Sequence, residues 1–171
     1  LDLLPISINA APVEFLRDDY AEKMLARLSN FDIPAHKVEL EITEQSLSEH
    51  GANYVIRALN LLKQAGIQIS LDDFGTGHSS LTRLQDYPVD CIKIDRNFVE
   101  RMNSDPSALA IVKAITQIGS SIALDVLVEG IENTEQLDTL IHCDCQIGQG
   151  FYFYRPMAGA SAQALLQPAN Q

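Results

Sequence analysis

Short apolar runs alternate with amphipathic stretches along the whole chain. The runs are Pro5 to Asn9, Val38 to Ile42, Ile67 to Asp72, Cys91 to Asp95, Leu124 to Glu129 and Cys145 to Gln149. They are rich in Ile, Val and Leu, as buried parallel strands are. Between them the apolar residues fall at helical spacing. Leu16, Tyr20, Met24 and Leu28 form one stripe, and Val55, Leu59 and Leu62 a second that Gly66 stops. Asp105 and Pro106 open a third helix, with Leu109, Val112 and Ile115 on its apolar face. Asn133 or Thr134 caps a fourth, with Leu137, Leu140 and Ile141 inward, and Ser161 to Leu166 forms a last short one. Asp73 to Asp90 reads as loop, with a helical stretch around Ser80 to Leu84.

Strand–helix alternation of this kind predicts parallel strands joined by crossover helices. A (β/α)8 barrel usually needs about 250 residues. The chain has 171 and begins with Leu1 rather than Met. The expected class is therefore α/β: a TIM-like barrel, here incomplete with about six β/α units, in one domain over 1–171 of a longer parent. A doubly wound open sheet is the rival, but no Gly-rich phosphate loop follows Asn9 to mark it. No apolar run reaches the roughly 18 residues of a membrane span, and no secretory signal opens the chain.

Parity along each strand adds chemistry, because side chains alternate faces. Ile6 and Ile8 oppose Ser7 and Asn9; Val38, Leu40 and Ile42 oppose Glu39 and Glu41; Ile69 and Leu71 oppose Ser70 and Asp72. Ile92 and Ile94 oppose Cys91, Lys93 and Asp95, and Val126 and Val128 oppose Asp125, Leu127 and Glu129. With the branched residues under the helix layer, the polar set points into the barrel. Asn9, Glu41, Asp72, Lys93, Asp95 and Glu129 then converge at the C-terminal strand ends, where barrel enzymes place their chemistry. For each residue alone, a helix-capping Asp or a solvated Lys is an equally good reading. The shared parity is what favours a site. Asp73 breaks the alternation and reaches the same place only if the strand turns there, which Gly75 and Gly77 allow.

Adjacent carboxylates repel, and near neutral pH a metal ion relieves them. Amide and carboxylate oxygens suit Mg²⁺ or Mn²⁺ rather than zinc, and this many acids suggests two ions bridged by Asp72. Two such ions activate water and support in-line phosphoryl displacement. Lys93 is then placed to orient the water or neutralise the phosphate, and Glu129 to bind metal or accept a proton.

Twelve Lys and Arg against 23 Asp and Glu leave a net charge of −11. That field repels nucleic acid polymers. It permits a small phosphate ligand, because bound cations invert the local sign. Cys91, Cys143 and Cys145 lack a second ligand pair at zinc-finger spacing, and they read as reduced thiols of a cytoplasmic protein.

The segments Glu41-Ile-Thr-Glu44, Asp72-Asp-Phe-Gly-Thr-Gly-His-Ser-Ser-Leu81, Ile92-Lys-Ile-Asp-Arg-Asn-Phe-Val99, Val128-Glu-Gly-Ile-Glu132 and Gln149-Gly-Phe151 resemble the EAL domain family in order and spacing. The resemblance covers essentially the whole chain. It implies a (β/α)8-type barrel that hydrolyses cyclic di-GMP to linear pGpG with two Mg²⁺ or Mn²⁺ ions, in bacterial signalling. It implies metal ligands at Asn9, Glu41, Asp72 and Asp73, and a water-holding role for Lys93. Asp95, Glu129 and Gln149 become further members of the metal and water site. Glu44 becomes the anchor of the loop after Asp73, through which family members dimerise, and Glu132 a supporting acid. Phe151 and Pro156 fall where the family flanks a guanine. The Glu-Ala-Leu motif itself is missing from the chain, and so are a ligand Glu and a phosphate-binding Arg that the family has there. The expectation is a truncated domain, its C-terminal three quarters, with an open seam and doubtful activity of its own. Smaller departures are Val128, often Ala in the family, and His78, often aromatic. The parent is expected to be a phosphodiesterase in the cytoplasm, or at the inner membrane's cytoplasmic face. It is expected to act beside GGDEF or sensory domains. The rival readings are an inactive cyclic-di-GMP receptor and a different Mg²⁺-dependent barrel enzyme.

Overall fold

A computed structural model describes residues 4–44, 46, 52–75, 84 and 87–165, without the side chains of Leu16 and Ala52. Six parallel strands form one sheet in sequential order: β1 (Ile6–Asn9), β2 (Val38–Thr43), β3 (Gln68–Phe74), β4 (Cys91–Ile94), β5 (Asp125–Val128) and β6 (Ile147–Gly148). The helices are α1 (Tyr20–Asn30), α2 (Ala52–Gln64), α3 (Arg96–Arg101), α4 (Pro106–Ser121), α5 (Thr134–Ile141) and α6 (Gly159–Leu165). This is part of a β/α barrel wall, with the expected unit order and a strand order that excludes the doubly wound rival.

The core lies between sheet and helices. Leu40, Ile42, Ile69, Ile92, Ile94 and Val128 are fully buried on one face of the strands. Leu59 and Leu62 of α2 and Val112 of α4 meet them from the helix layer. Helix α2 packs on β3, and α4 packs on β4, β5 and α3. Each such side chain contributes about 1.5–3 kcal/mol by leaving water. Asp105 accepts from the Ser107 N–H and starts α4 ahead of Pro106. Asn133 accepts from the Gln136 N–H and starts α5.

Several expectations need correction. The first helical stripe is two elements: a 3-10 turn over Pro12–Leu16, then α1, separated by Arg17–Asp19. Pro12 sets up the turn, whose carbonyls are not continued into α1. Ile6 and Ile8 do not cover a helix layer; they are 65% and 43% exposed, because among the described residues β1 packs chiefly on β2 and little covers its face. At the other edge β6 shrinks to two residues. Cys145 instead closes the end of α5 through its N–H to Leu140 and pairs with the Thr116 hydroxyl. Ile141 is 57% exposed, since Leu140 takes the inward position. Helix α3 has no counterpart in the apolar pattern. At six residues it is too short to show a stripe. The helical stretch around Ser80, His78, Gly77 and the end of the last helix at Leu166 lie outside the described residues. No helix among the described residues is long and apolar enough to cross a membrane.

Candidate active site

The inner face of the sheet gathers the strand-end acids around one ammonium. Lys93 of β4 is buried, and its Nζ stands 2.6 Å from Glu129, 2.9 Å from Glu41 and 3.5 Å from Asp72. Those acids come from β2, from β3 and from the residue after β5. The strand register makes this possible: Cys91 lies beside Ser70 and Lys93 beside Leu127, so residues of one parity share the inner face. An ammonium has three donors, and here it has three carboxylate partners. Burial works to lower the Lys93 pKa. The hydrogen bonds to Glu129 and Glu41 and the charges of Glu129 and Asp72 outweigh it, so the lysine stays protonated far beyond its ordinary range. Burial pushes Glu129 up, Lys93 pulls it back, and Asp72 and Glu41 add to the rise.

Asp73 joins by a different route from the glycine turn that its sequence suggests. Strand β3 runs on to Phe74, with a register irregularity between Leu71 and Phe74. Asp73 sits at φ +55° in that bulge, and its N–H donates to the Asp72 carboxylate. A bulge re-aims a side chain in this way. Burial raises the Asp73 pKa first, the charges of Asp72 and Asp95 raise it further, and Lys93 opposes them. Asp95 follows β4, is buried, and also caps α3 by accepting from the Asn97 N–H at 2.9 Å. Helix capping and proximity to the acids are thus both true of it.

Asn9 is in register with Glu41 and shares its face, exposed on the edge strand. Glu44 accepts from the Gly75 N–H at 3.1 Å and so ties the end of β2 to the turn after β3. Its second oxygen is buried with no hydrogen-bond partner among the described residues. Glu132 is exposed, and among the described residues nothing ties its carboxylate to the acids. Gln149, Phe151 and Pro156 line one groove of about 660 Å³ that reaches Leu127, the inner-face neighbour of Lys93.

Two contributors escape the sequence reading. The Arg155 guanidinium lies 4.6 Å from the Phe151 ring centroid, in cation–π contact. Gln136 is buried and accepts from the Glu132 N–H at 2.8 Å, which fixes the loop carrying Glu129. The capping-box spacing Asn133-x-x-Gln136 is the signal that finds it. Gly130, at φ +76°, lets this loop lie against Arg96 at the start of α3.

The oxygen donors Asn9, Glu41, Asp72 and Asp73 suit a hard divalent cation. Burial, then the charges of Asp72 and Asp95, raise Asp73, and a cation beside it opposes both. Among the described residues, however, no three His, Cys, Asp or Glu side chains are gathered as ligands of one ion. Lys93 stands among the acids instead.

Residues 2–156 match the family model of the EAL domain. The chain belongs to the EAL domain family. It is 36% identical over 152 residues to the cyclic di-GMP phosphodiesterase RocR of Pseudomonas aeruginosa, covering 89% of this chain and 38% of RocR. It superposes on the PaMucR phosphodiesterase in complex with c-di-GMP with TM-score 0.86 and 31% identity, over 92% of this chain and 64% of that one. It superposes on the manganese and cyclic di-GMP complex of BlrP1 from Klebsiella pneumoniae with TM-score 0.83 and 26% identity, over 91% and 40%. The chain spans only about a fifth to two fifths of the length of the curated relatives it matches.

Proposed function

We propose that this EAL chain is the catalytic part of a metal-dependent phosphodiesterase that hydrolyses cyclic di-GMP to linear pGpG. The observation that carries the reading is the buried Lys93 ammonium amid Glu41, Asp72 and Glu129. A phosphodiester and the water that attacks it need a fixed cation and several acids at one place. Asn9, Glu41, Asp72 and Asp73 would hold two Mg²⁺ or Mn²⁺ ions, which supply Lewis acidity toward the phosphate and the water. Lys93 orients the attacking water and offsets charge on the phosphate. Glu129 takes the water proton as the phosphorus–oxygen bond forms and the ribose oxygen leaves. Asp95 holds the β4 end, and Gln149, Phe151 and Pro156 border the groove for the nucleotide. Names of relatives support the substrate: RocR is a cyclic di-GMP phosphodiesterase, and PaMucR and BlrP1 carry the dinucleotide.

Among the described residues no three acids are gathered as ligands of one ion, which favours a second reading: a module that binds cyclic di-GMP without cleaving it. In this reading the parent works in the cytoplasm, dimerises through the loop after Asp73 and acts beside GGDEF or sensory domains. The test is incubation with cyclic di-GMP and Mn²⁺, with product read by chromatography and binding by calorimetry. pGpG from the chain, lost in Glu129→Gln, is expected for the enzyme. Binding without product supports the receptor, and neither outcome would sink both.

A further inference from the structure

We propose that Lys93 is a counter-ion built into the site, and that a divalent cation must compete with it for Glu41 and Asp72. The inference rests on the reading of this site as a metal centre and adds to it a competitor for the ligand acids.

Carboxylates gathered side by side repel one another, and a cation among them relieves that repulsion. In this structure the cation is the Lys93 ammonium, its side chain only 4% exposed and its Nζ within 3.5 Å of three different acids. The carboxylates are consequently arranged around nitrogen. A metal ion taking Glu41 and Asp72 must draw them off Lys93 and settle beside a like charge, which opposes its binding. Lys93 therefore does two opposed things: it holds the acids together, and it weakens the site's grip on metal. Removing its charge while keeping its length should leave a less stable protein that binds metal more tightly.

The test compares the wild-type chain with Lys93→Met and Lys93→Arg, each checked for fold by circular dichroism. Mn²⁺ affinity is measured by calorimetry and by the electron paramagnetic resonance signal of free Mn²⁺. Lys93→Met is expected to bind Mn²⁺ at least about tenfold more tightly than wild type, and Lys93→Arg no more tightly. Should Lys93→Met not fold, the wild-type protein with ¹⁵N-labelled lysines supplies the answer. One slowly exchanging ammonium signal is expected without metal, and it should shift or vanish as Mg²⁺ is added. Wild type that binds Mn²⁺ with Lys93→Met no tighter, or Mg²⁺ binding that leaves the ammonium signal unmoved, overturns the inference and spares the metal centre. No Mn²⁺ binding by wild type or variant overturns both.

Discussion

Replacing Gly130 by alanine tests the idea that the Glu129 loop is clamped onto the β4–α3 junction. Gly130 has φ +76°, and a Cβ added there would collide with Arg96 Cβ and lie 3.1 Å from Arg96 Cα. Arg96 cannot retreat cheaply, because Asp95 caps α3 immediately before it. The loop cannot retreat cheaply either: the Glu129 N–H donates to the Ile94 carbonyl, and Ile131 is buried. A left-handed alanine costs roughly 1–2 kcal/mol, and relieving an overpacked contact adds typically 1–3 kcal/mol. The expected loss is therefore about 2–5 kcal/mol. At about 2–4 °C per kcal/mol for a chain of this size, the melting temperature falls by roughly 4–20 °C. Urea titration and a thermal scan read it, with Gly159→Ala as control, where an added Cβ meets nothing within 4 Å. The control should change stability by under about 0.5 kcal/mol. A Gly130→Ala protein within about 1 kcal/mol of wild type would refute the clamp.

Two further outcomes follow from the same geometry. Asp73 has a raised pKa in the fold, so the folded state binds its proton more tightly than the unfolded chain does. Stability must then fall as pH rises from the ordinary aspartate pKa of about 3.9 through the raised folded value. Asp73→Asn, which also suits φ +55°, should flatten that fall and leave the metal-free protein more stable at neutral pH. Parallel urea midpoints for the two proteins across that range would contradict it. Asn133→Ala removes the α5 cap and should cost about 1 kcal/mol, seen as a melting temperature lower by roughly 2–4 °C; an unchanged melt would show that the capping box carries no weight.

The part of the fold that could be read from the chain is the part that burial encodes. Leu40, Ile42, Ile69, Ile92 and Val128 are branched residues with a polar neighbour on either side or at strand ends, and all are buried under helices. That parity also delivered Glu41, Asp72, Lys93 and Glu129 to one place. What stayed hidden depends on partners distant in sequence. Ile6 and Ile8 have the same parity signal as Leu40, but nothing packs on them at the sheet edge. The bulge at Asp73 involves no glycine at that position, so no residue type announces it. Helix α3 begins at a cap that doubles as a site acid, and Asp95 alone does not tell which role governs. The stacking of Arg155 on Phe151 depends on the fold of the segment after β6.

Strand β1 has a further consequence for handling the protein. Ile-Ser-Ile-Asn contains no lysine, no proline and no other charge, and among the described residues one side of its backbone has no strand beside it. Such an uncovered ladder recruits strands from other molecules. Handled as an isolated 171-residue chain, the protein presents that rim to its neighbours, and a charged residue in place of Ile6, already pointing into water, is the simplest way to keep it dispersed.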